Sequence, residues 1–392
     1  MNTRPDTDIA IIGGGLGGTI AALVLGRAGH SVTLIDRSAV FPAEFRVEKL
    51  GGEQLVKLAR LGLLDILAAS STRFDEFVNV RNGRVVDRTR ARYHGIFYGD
   101  LVNAMRAALP ANVRFIAGRV TEVATSDELQ QLTIADRGVL TARLAVLASG
   151  MSDLLRSRLG IEREVLHERQ SLSFGFNLKP TDNSPLHRAA LTVYGRKPAD
   201  GIDYVSFFPV GDLVRANLFS FLDHRHPWVK ALRTNPLETL HAALPRLHRH
   251  LGDVELVDKV QSWIMDIAVA RNVRQPGIVL IGDAYQTSCP AAGTGVSRLL
   301  TDVERLCRAH IPQWLASPGM PTAKIAAFYD DPEKQAMDVH ALGLARYRRS
   351  LTIDTSLSWR TQRQAQYLRR GIMHGIDTLS PALAAGIRSL RA

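Results

Sequence analysis

Residues 8–36, DIAIIGGGLGGTIAALVLGRAGHSVTLID, constrain this chain more than any other stretch. The apolar run 9–12 reads as a buried strand, and Gly13-x-Gly15-x-x-Gly18 opens an Ala- and Leu-rich helix that Gly29 ends. A second strand over 31–35 carries Asp36 at its carboxyl end, about twenty residues beyond the glycines, where the dinucleotide fingerprint places its acid. Gly13 permits the tight turn, Gly15 lets backbone N–H groups approach a pyrophosphate, and Gly18 allows close helix-to-sheet packing. The unpaired N–H groups at the helix start then face the anion. Asp36 is an acceptor for ribose hydroxyls, which favours an unphosphorylated ribose such as that of FAD or NAD. The complete strand, helix, strand and terminal acid separate this stretch from an isolated glycine turn.

At 392 residues the chain is long enough for two domains with a sizeable core. Its two cysteines, Cys289 and Cys307, cannot build a disulfide framework and lie far from any histidine cluster, so a reducing cytoplasm is expected. No signal peptide and no transmembrane run is read from the sequence. The net charge of +11 is concentrated late. From Ala341 onward the chain has Arg346, Arg348, Arg349, Arg360, Arg363, Arg369, Arg370, Arg388 and Arg391 against Asp354 and Asp377. No nucleic-acid-binding signature accompanies them, so a solvated helical face is expected, with peripheral contact to an acidic membrane surface or a reductase as the alternative.

Between the first motif and that tail, Pro42 and Gly51-Gly52 mark loops, and 53–69 has helical periodicity. Arg46, beside the binding strands, is a candidate for the cofactor's phosphate or ribose. Residues 75–93 alternate as strands around an Asn82-Gly83 hairpin turn, and Asp100 is expected to cap the next helix. Short strands follow at 113–116, 119–124, 131–135 and 139–147. Longer alternating strands over 171–221, with one apolar, aromatic face, suit the wall of a pocket. Residues 237–251 read as a helix whose His241, His248 and His250 lack the carboxylate motif of a metal site. Beyond Pro321 the chain reads as mostly helical, with Pro381 as a late break.

A second motif lies at 277–296. An apolar strand ends at Gly282-Asp283, and Pro290, Gly293 and Gly295 lead into a helix near Val296. Amides at that helix start can bind an electron-rich edge, and Asp283 can accept from ribityl hydroxyls. Taken with the first motif, the sequence resembles the class A flavin-dependent monooxygenases related to para-hydroxybenzoate hydroxylase and the ubiquinone-pathway hydroxylases, from the N-terminus to about Leu306.

The resemblance implies an α/β fold: an FAD-binding Rossmann-like domain of the glutathione-reductase type, an inserted antiparallel β-sheet substrate domain, and C-terminal helices. The expected FAD-binding domain is residues 1–74, 98–168 and 268–332, the substrate domain 75–97 and 169–267, and the helical segment 333–392. Gly13, Gly15, Leu16, Gly17, Gly18, Asp36, Arg37, Arg46, Tyr98 and Val120 would hold the cofactor on one side. Gly282, Asp283, Pro290, Gly293, Thr294, Gly295 and Val296 would hold the ribityl chain and ring. The implied reaction inserts one oxygen atom from O₂, by way of a flavin C4a-hydroperoxide, into a small aromatic or conjugated apolar substrate. NADPH or NADH would be the reductant. No residue has to be a nucleophile; Tyr98, His94 and Tyr204 are candidates for an optional base.

Three departures stand out. The family's Asp-Gly motif appears as Ser149-Gly150, keeping Arg156 but losing the acid, which bears on direct reduction by NAD(P)H. Tyr98 stands where many members have Arg. The usual Ala-His is Ala284-Tyr285, and the usual Asn after the last glycine is Ser297. Cys289 is expected near the flavin as a small buried residue. The alternatives are a flavin-dependent reductase of isoprenoid-like substrates, a halogenase whose Trp-x-Trp-x-Ile-Pro signature is missing, and a non-enzymatic flavoprotein docked through its basic tail.

Overall fold

The computed structural model describes residues 4–46, 48–181 and 189–379. The first part of the chain forms β1 (Thr7–Ile12), α1 (Leu16–Arg27), β2 (Val32–Asp36), β3 (Lys49–Gly51), α2 (Glu53–Arg60), α3 (Leu64–Ser70), β4 (Thr72–Arg81), β5 (Arg84–Gly95) and α4 (Tyr98–Ala107). Then come β6 (Val113–Ala117), β7 (Val120–Ala124), β8 (Gln130–Ile134), β9 (Gly138–Leu147), α5 (Leu154–Arg158), β10 (Glu162–Pro180), β11 (Ala189–Tyr194), β12 (Ile202–Val210) and β13 (Leu213–Ser220). The remainder forms α6 (Pro227–Thr234), α7 (Pro236–Ala243), α8 (His248–Leu251), β14 (Val254–Leu256), β15 (Gln261–Arg271), β16 (Ile278–Leu280), α9 (Gly295–Glu304), α10 (Ile311–Leu315), α11 (Thr322–Tyr329), α12 (Pro332–Ile353) and α13 (Leu357–Leu379). Contacts divide the chain into one unit of Met1–Ser71, Ile96–Glu168 and Asp266–Leu344 and another of Thr72–Gly95, Arg169–Met265 and Ala345 onward.

In the first unit the sheet order is β6-β2-β1-β9-β8-β7, with β16 also on β9. Strands β6, β2, β1, β9 and β16 are parallel, and β8 and β7 return antiparallel. Ile9, Ile11, Leu144, Val146 and Val279 are fully buried, as parallel strands covered on both faces must be. Helix α1 is buried along most of its length, which its Ala, Gly and Leu content permits. The helix expected over 53–69 is two helices, because Gly62 adopts φ +72° between them. Helix α4 begins at Tyr98 with Phe97 as its N-cap, so Asp100 is not a cap; it sits in the first turn, where its charge opposes the helix dipole's positive end.

In the second unit the sheet runs β14-β10-β13-β12-β11-β4-β5. All pairs are antiparallel except β11 with β4, which are parallel. One face is wholly apolar: Val80, Val193, Val205, Leu218 and Phe174 pack against Val229 and Leu232 of α6 and Leu240 of α7. The helix expected over 237–251 is broken into α7 and α8 around Pro245, which lacks the N–H a continuous helix needs.

The C-terminal arginines depart from the expected solvated face. Arg348 donates to both carboxylate oxygens of the buried Asp203, Arg349 donates to the Gln170 carbonyl at 2.9 Å, and Arg370 donates to Tyr194 Oη at 2.7 Å. Arg363 is buried and binds the Leu351 carbonyl at 2.6 Å. Arg346, Arg360 and Arg369 are exposed, whereas Pro381, Arg388 and Arg391 lie outside the described residues. Among the described residues no helix is long and apolar enough to cross a membrane.

Candidate functional site

The glycine turn is built from close backbone approaches. Gly13 has φ +104°, and a Cβ there would meet the Ala148 carbonyl oxygen at 2.5 Å. A Cβ on Gly18 would lie 1.9 Å from the Gly13 oxygen. Gly17 faces Leu299 of α9, and so does Gly282, which brings the two motifs against the same side chain. Gly15 is different: its Cβ position meets nothing nearer than Tyr98 Oη at 3.4 Å, so the backbone there is open.

Asp36 accepts from the Gly14 N–H at 2.7 Å and the Ser38 N–H at 2.9 Å, and pairs with Arg106 at 3.3 Å. The carboxylate therefore fixes the turn as well as standing at the end of β2. Arg106, which sequence reasoning missed, also donates to the Gly14 and Ser38 carbonyls and lies over the rings of Phe41 and Phe115. Its signal was available only as a basic residue two helical turns after Tyr98 on α4. Arg37 is exposed beside Asp36. Val120 is buried at the start of β7, just after Gly118, whose N–H donates to the Asp36 carbonyl at 2.8 Å.

Tyr98 joins these parts. Its hydroxyl accepts from the Leu16 N–H at 3.2 Å, at the positive end of α1. Burial raises its pKa, opposed by the Leu16 N–H and Arg46, while Asp283 and Glu44 add to the rise. Arg46 itself lies 3.5 Å from Glu44. Tyr98, Arg46 and Asp283 are thus within electrostatic reach of one another's surroundings at the α1 start. His94 and Tyr204 belong to the second unit, on β5 and β12. Burial, with Arg92 and Arg73, lowers the His94 pKa, so its ring is neutral near pH 7.

The second motif rests on buried charge. Gly282 has φ +63°, and its N–H donates to Asp302 at 2.9 Å. Arg298, fully buried on α9, donates to Ser288 Oγ at 3.2 Å, Asp302 at 3.3 Å and the Gln286 carbonyl, and lies 3.6 Å from both Asp283 and Asp338. Lys334 of α12 reaches Asp338 at 2.7 Å and Asp302 at 3.2 Å and sits 3.8 Å over the Tyr285 ring. Burial pushes the Asp338 carboxyl up, with Lys334 pulling the other way. Arg298, Asp302, Lys334 and Asp338 were not singled out from sequence, whereas Asp283 was. The available signal was an Arg and an Asp one turn apart inside the otherwise apolar start of α9.

Beyond this cluster, Pro290 begins a single 3₁₀ turn that Gly293 closes at φ +68°, with Thr294 preceding α9 and Gly295 and Val296 in its first turn. No acidic residue occupies that turn. Cys289 is fully buried. At the end of β9, Ser149 Oγ is buried without a hydrogen-bond partner. Arg156 donates to the Ala284 carbonyl at 2.9 Å and pairs with Asp153, so the acid missing at position 149 is supplied to Arg156 four residues later.

These residues fit FAD. Thr294 Oγ1, at the start of α9, is buried and unpartnered, as Ser149 Oγ is, and Gly15 and Gly293 leave open backbone beside two helix starts. A diphosphate suits the first start and an electron-rich ring edge the second.

A 6-hydroxynicotinate 3-monooxygenase of Bordetella bronchiseptica is 31% identical over 163 residues, covering 38% of this chain and 43% of that protein. A squalene monooxygenase of Mus musculus is 24% identical over 379 residues, covering 90% of this chain and 63% of that protein. The chain therefore spans less than two thirds of the length of either relative. In fold it is similar to p-nitrophenol 4-monooxygenase PnpA from Pseudomonas putida DLL-E4, with a TM-score of 0.75 at 18% identity over 97% of this chain and 96% of that one. Residues 6–310 match the FAD binding domain family. The chain belongs to that family, and its cofactor is FAD.

Proposed function

We propose that this protein is an FAD-dependent monooxygenase that transfers one oxygen atom from O₂ to a small aromatic or conjugated, largely apolar substrate. The observation that carries the reading is the α9 start: an acid-free first turn behind Thr294, with its loop clamped by the buried Arg298 cluster. Such a helix end stabilises negative charge at a fixed position. Both relatives described above are monooxygenases by name, which supports the same reading. Bound FAD supplies the redox chemistry and oxygen activation. The chain's own residues bind and orient: Gly13, Gly15, Gly18, Asp36, Tyr98 and Arg46 hold the adenylate and diphosphate side. Asp283 and the 290–296 loop hold the ribityl and ring side.

NADPH or NADH is the proposed electron source. Exposed Arg346, Arg360 and Arg369 are the proposed contact for a reductase or an anionic membrane surface, and two buried cysteines suit the cytoplasm. The test is oxygen uptake stoichiometric with product carrying label from ¹⁸O₂. Turnover of a substrate without incorporated label would sink the monooxygenase reading. Anaerobic bleaching of the flavin by NAD(P)H tests the reductant, and R360E/R369E tests the contact through loss of coupling to an added reductase or vesicle.

A further inference from the structure

Helix α13 carries arginines of two kinds on two faces. Between Leu357 and Ile372 it has Arg360, Arg363, Arg369 and Arg370 and no acidic residue. Arg363 is buried and donates to the carbonyls of Leu351, at 2.6 Å, and Asp354, at 2.8 Å. Arg370 donates to Tyr194 Oη at 2.7 Å. Trp359 meets the Tyr347 ring edge-on at 5.7 Å, and the Tyr367 ring lies 3.8 Å from the Arg81 guanidinium. Trp359, Arg363, Tyr367 and Arg370 share one face at helical spacing, so α13 is pinned by that face to β4, β11 and the end of α12.

The opposite face is turned to solvent. Leu357, Leu368 and Ile372 are 74%, 67% and 54% exposed. At helical pitch these three fall within an arc of about 60°, which Thr361, Gln364 and Ala365, also exposed, extend without charge. Exposed Arg360 and Arg369 lie about 60° beyond its two edges. A single exposed leucine is ordinary on any surface. An apolar stripe edged by cations on both sides is the pattern of a helix lying in a membrane interface, its stripe in the acyl boundary and its arginines among the headgroup phosphates. A protein partner would need carboxylates placed at both edges of the stripe, whereas an anionic lipid surface offers negative charge on every side.

We propose that the outward face of α13 docks this protein on an anionic lipid surface, with Leu357, Leu368 and Ile372 entering the acyl boundary and Arg360 and Arg369 binding lipid phosphates. This rests on, and narrows, the reading of the exposed C-terminal arginines as a contact surface. An apolar substrate of the proposed reaction concentrates in that same interface.

Co-sedimentation of the full-length, oxidised, FAD-loaded protein with lipid vesicles tests the docking without turnover. Vesicles of phosphatidylcholine alone are compared with an equimolar mixture of phosphatidylcholine and phosphatidylglycerol. The expected result is binding to the mixture at least about tenfold tighter than to phosphatidylcholine, weakening as salt is raised. R360Q/R369Q should bind the mixture about twentyfold more weakly, and L357S/L368S/I372S should bind neither vesicle. All five side chains are exposed, and circular dichroism and FAD content check that each variant is folded. No binding by the wild type, equal binding to both vesicles, or binding retained in either folded variant would overturn the proposal. So would coupling to an NAD(P)H-dependent flavin reductase that needs Arg360 and Arg369 while vesicles stay unbound, which assigns the face to a protein instead. Docking without oxygen uptake keeps the surface and removes the monooxygenase reading; oxygen transfer by a protein that ignores vesicles does the reverse.

Discussion

The glycine turn at 13–18 and the loop at 282–302 both present a helix start, yet they are held by different forces. The first is fixed by backbone against backbone, with Gly18 on the Gly13 carbonyl and Gly13 on Ala148. The second is fixed by side chains, with Arg298 and Asp302 gripping the Gln286 carbonyl and the Gly282 N–H from inside the core. Backbone packing of this kind is rigid and cheap but admits only glycine. Buried ion clusters tolerate varied loops and are costly to break, since each partner removed leaves a desolvated charge.

The sharpest way to break the comparison is Arg298→Met. It should cost about 3–5 kcal/mol in urea unfolding, because Asp302, Asp338 and the Gln286 carbonyl lose a buried partner together. Removing the whole cluster with Lys334→Met, Asp302→Leu and Asp338→Leu in addition should not restore stability, since the Gly282 N–H stays unpaired. Restoration would show that electrostatics alone, and not the clamp, matters. Gly18→Ala should cost about 1–3 kcal/mol and lower FAD content after purification, because the turn must open to admit the methyl group. A smaller effect is expected from Tyr98→Phe: about 1 kcal/mol, read as severalfold weaker FAD binding, as the Leu16 N–H loses its acceptor.

The smallest effect is in pH dependence. Burial raises the Asp338 pKa, so the folded chain keeps a proton that the unfolded chain has released. That contribution is present below the ordinary carboxylate value of 3.8 and is lost as pH rises through the folded value. Asp338→Asn should flatten this limb of the stability curve, and an unchanged limb would remove Asp338 as its source.

This contrast also explains what could be read in advance. The first motif was legible because its physics is local: strand, glycines, helix and acid fall within thirty residues of one another. Ser149 and Arg156 were visible, but the ion pair with Asp153 was not, because no pattern specifies which acid turns inward. Lys334 and Asp338 come from a helix that the sequence shows only as helical, and their burial depends on α9 lying against it. In the second unit, alternation revealed strands but not register. The parallel pairing of β4 with β11 joins residues more than a hundred positions apart.

The inward-facing C-terminal arginines have a consequence for synthesis. Arg348 on Asp203, Arg349 on Gln170 and Arg370 on Tyr194 mean that the second unit's sheet, complete in its strands by β15, meets these polar partners only after α12 and α13 have been made. Until α12 and α13 emerge from the ribosome, Asp203 is a carboxylate on a nascent sheet without its counter-ion.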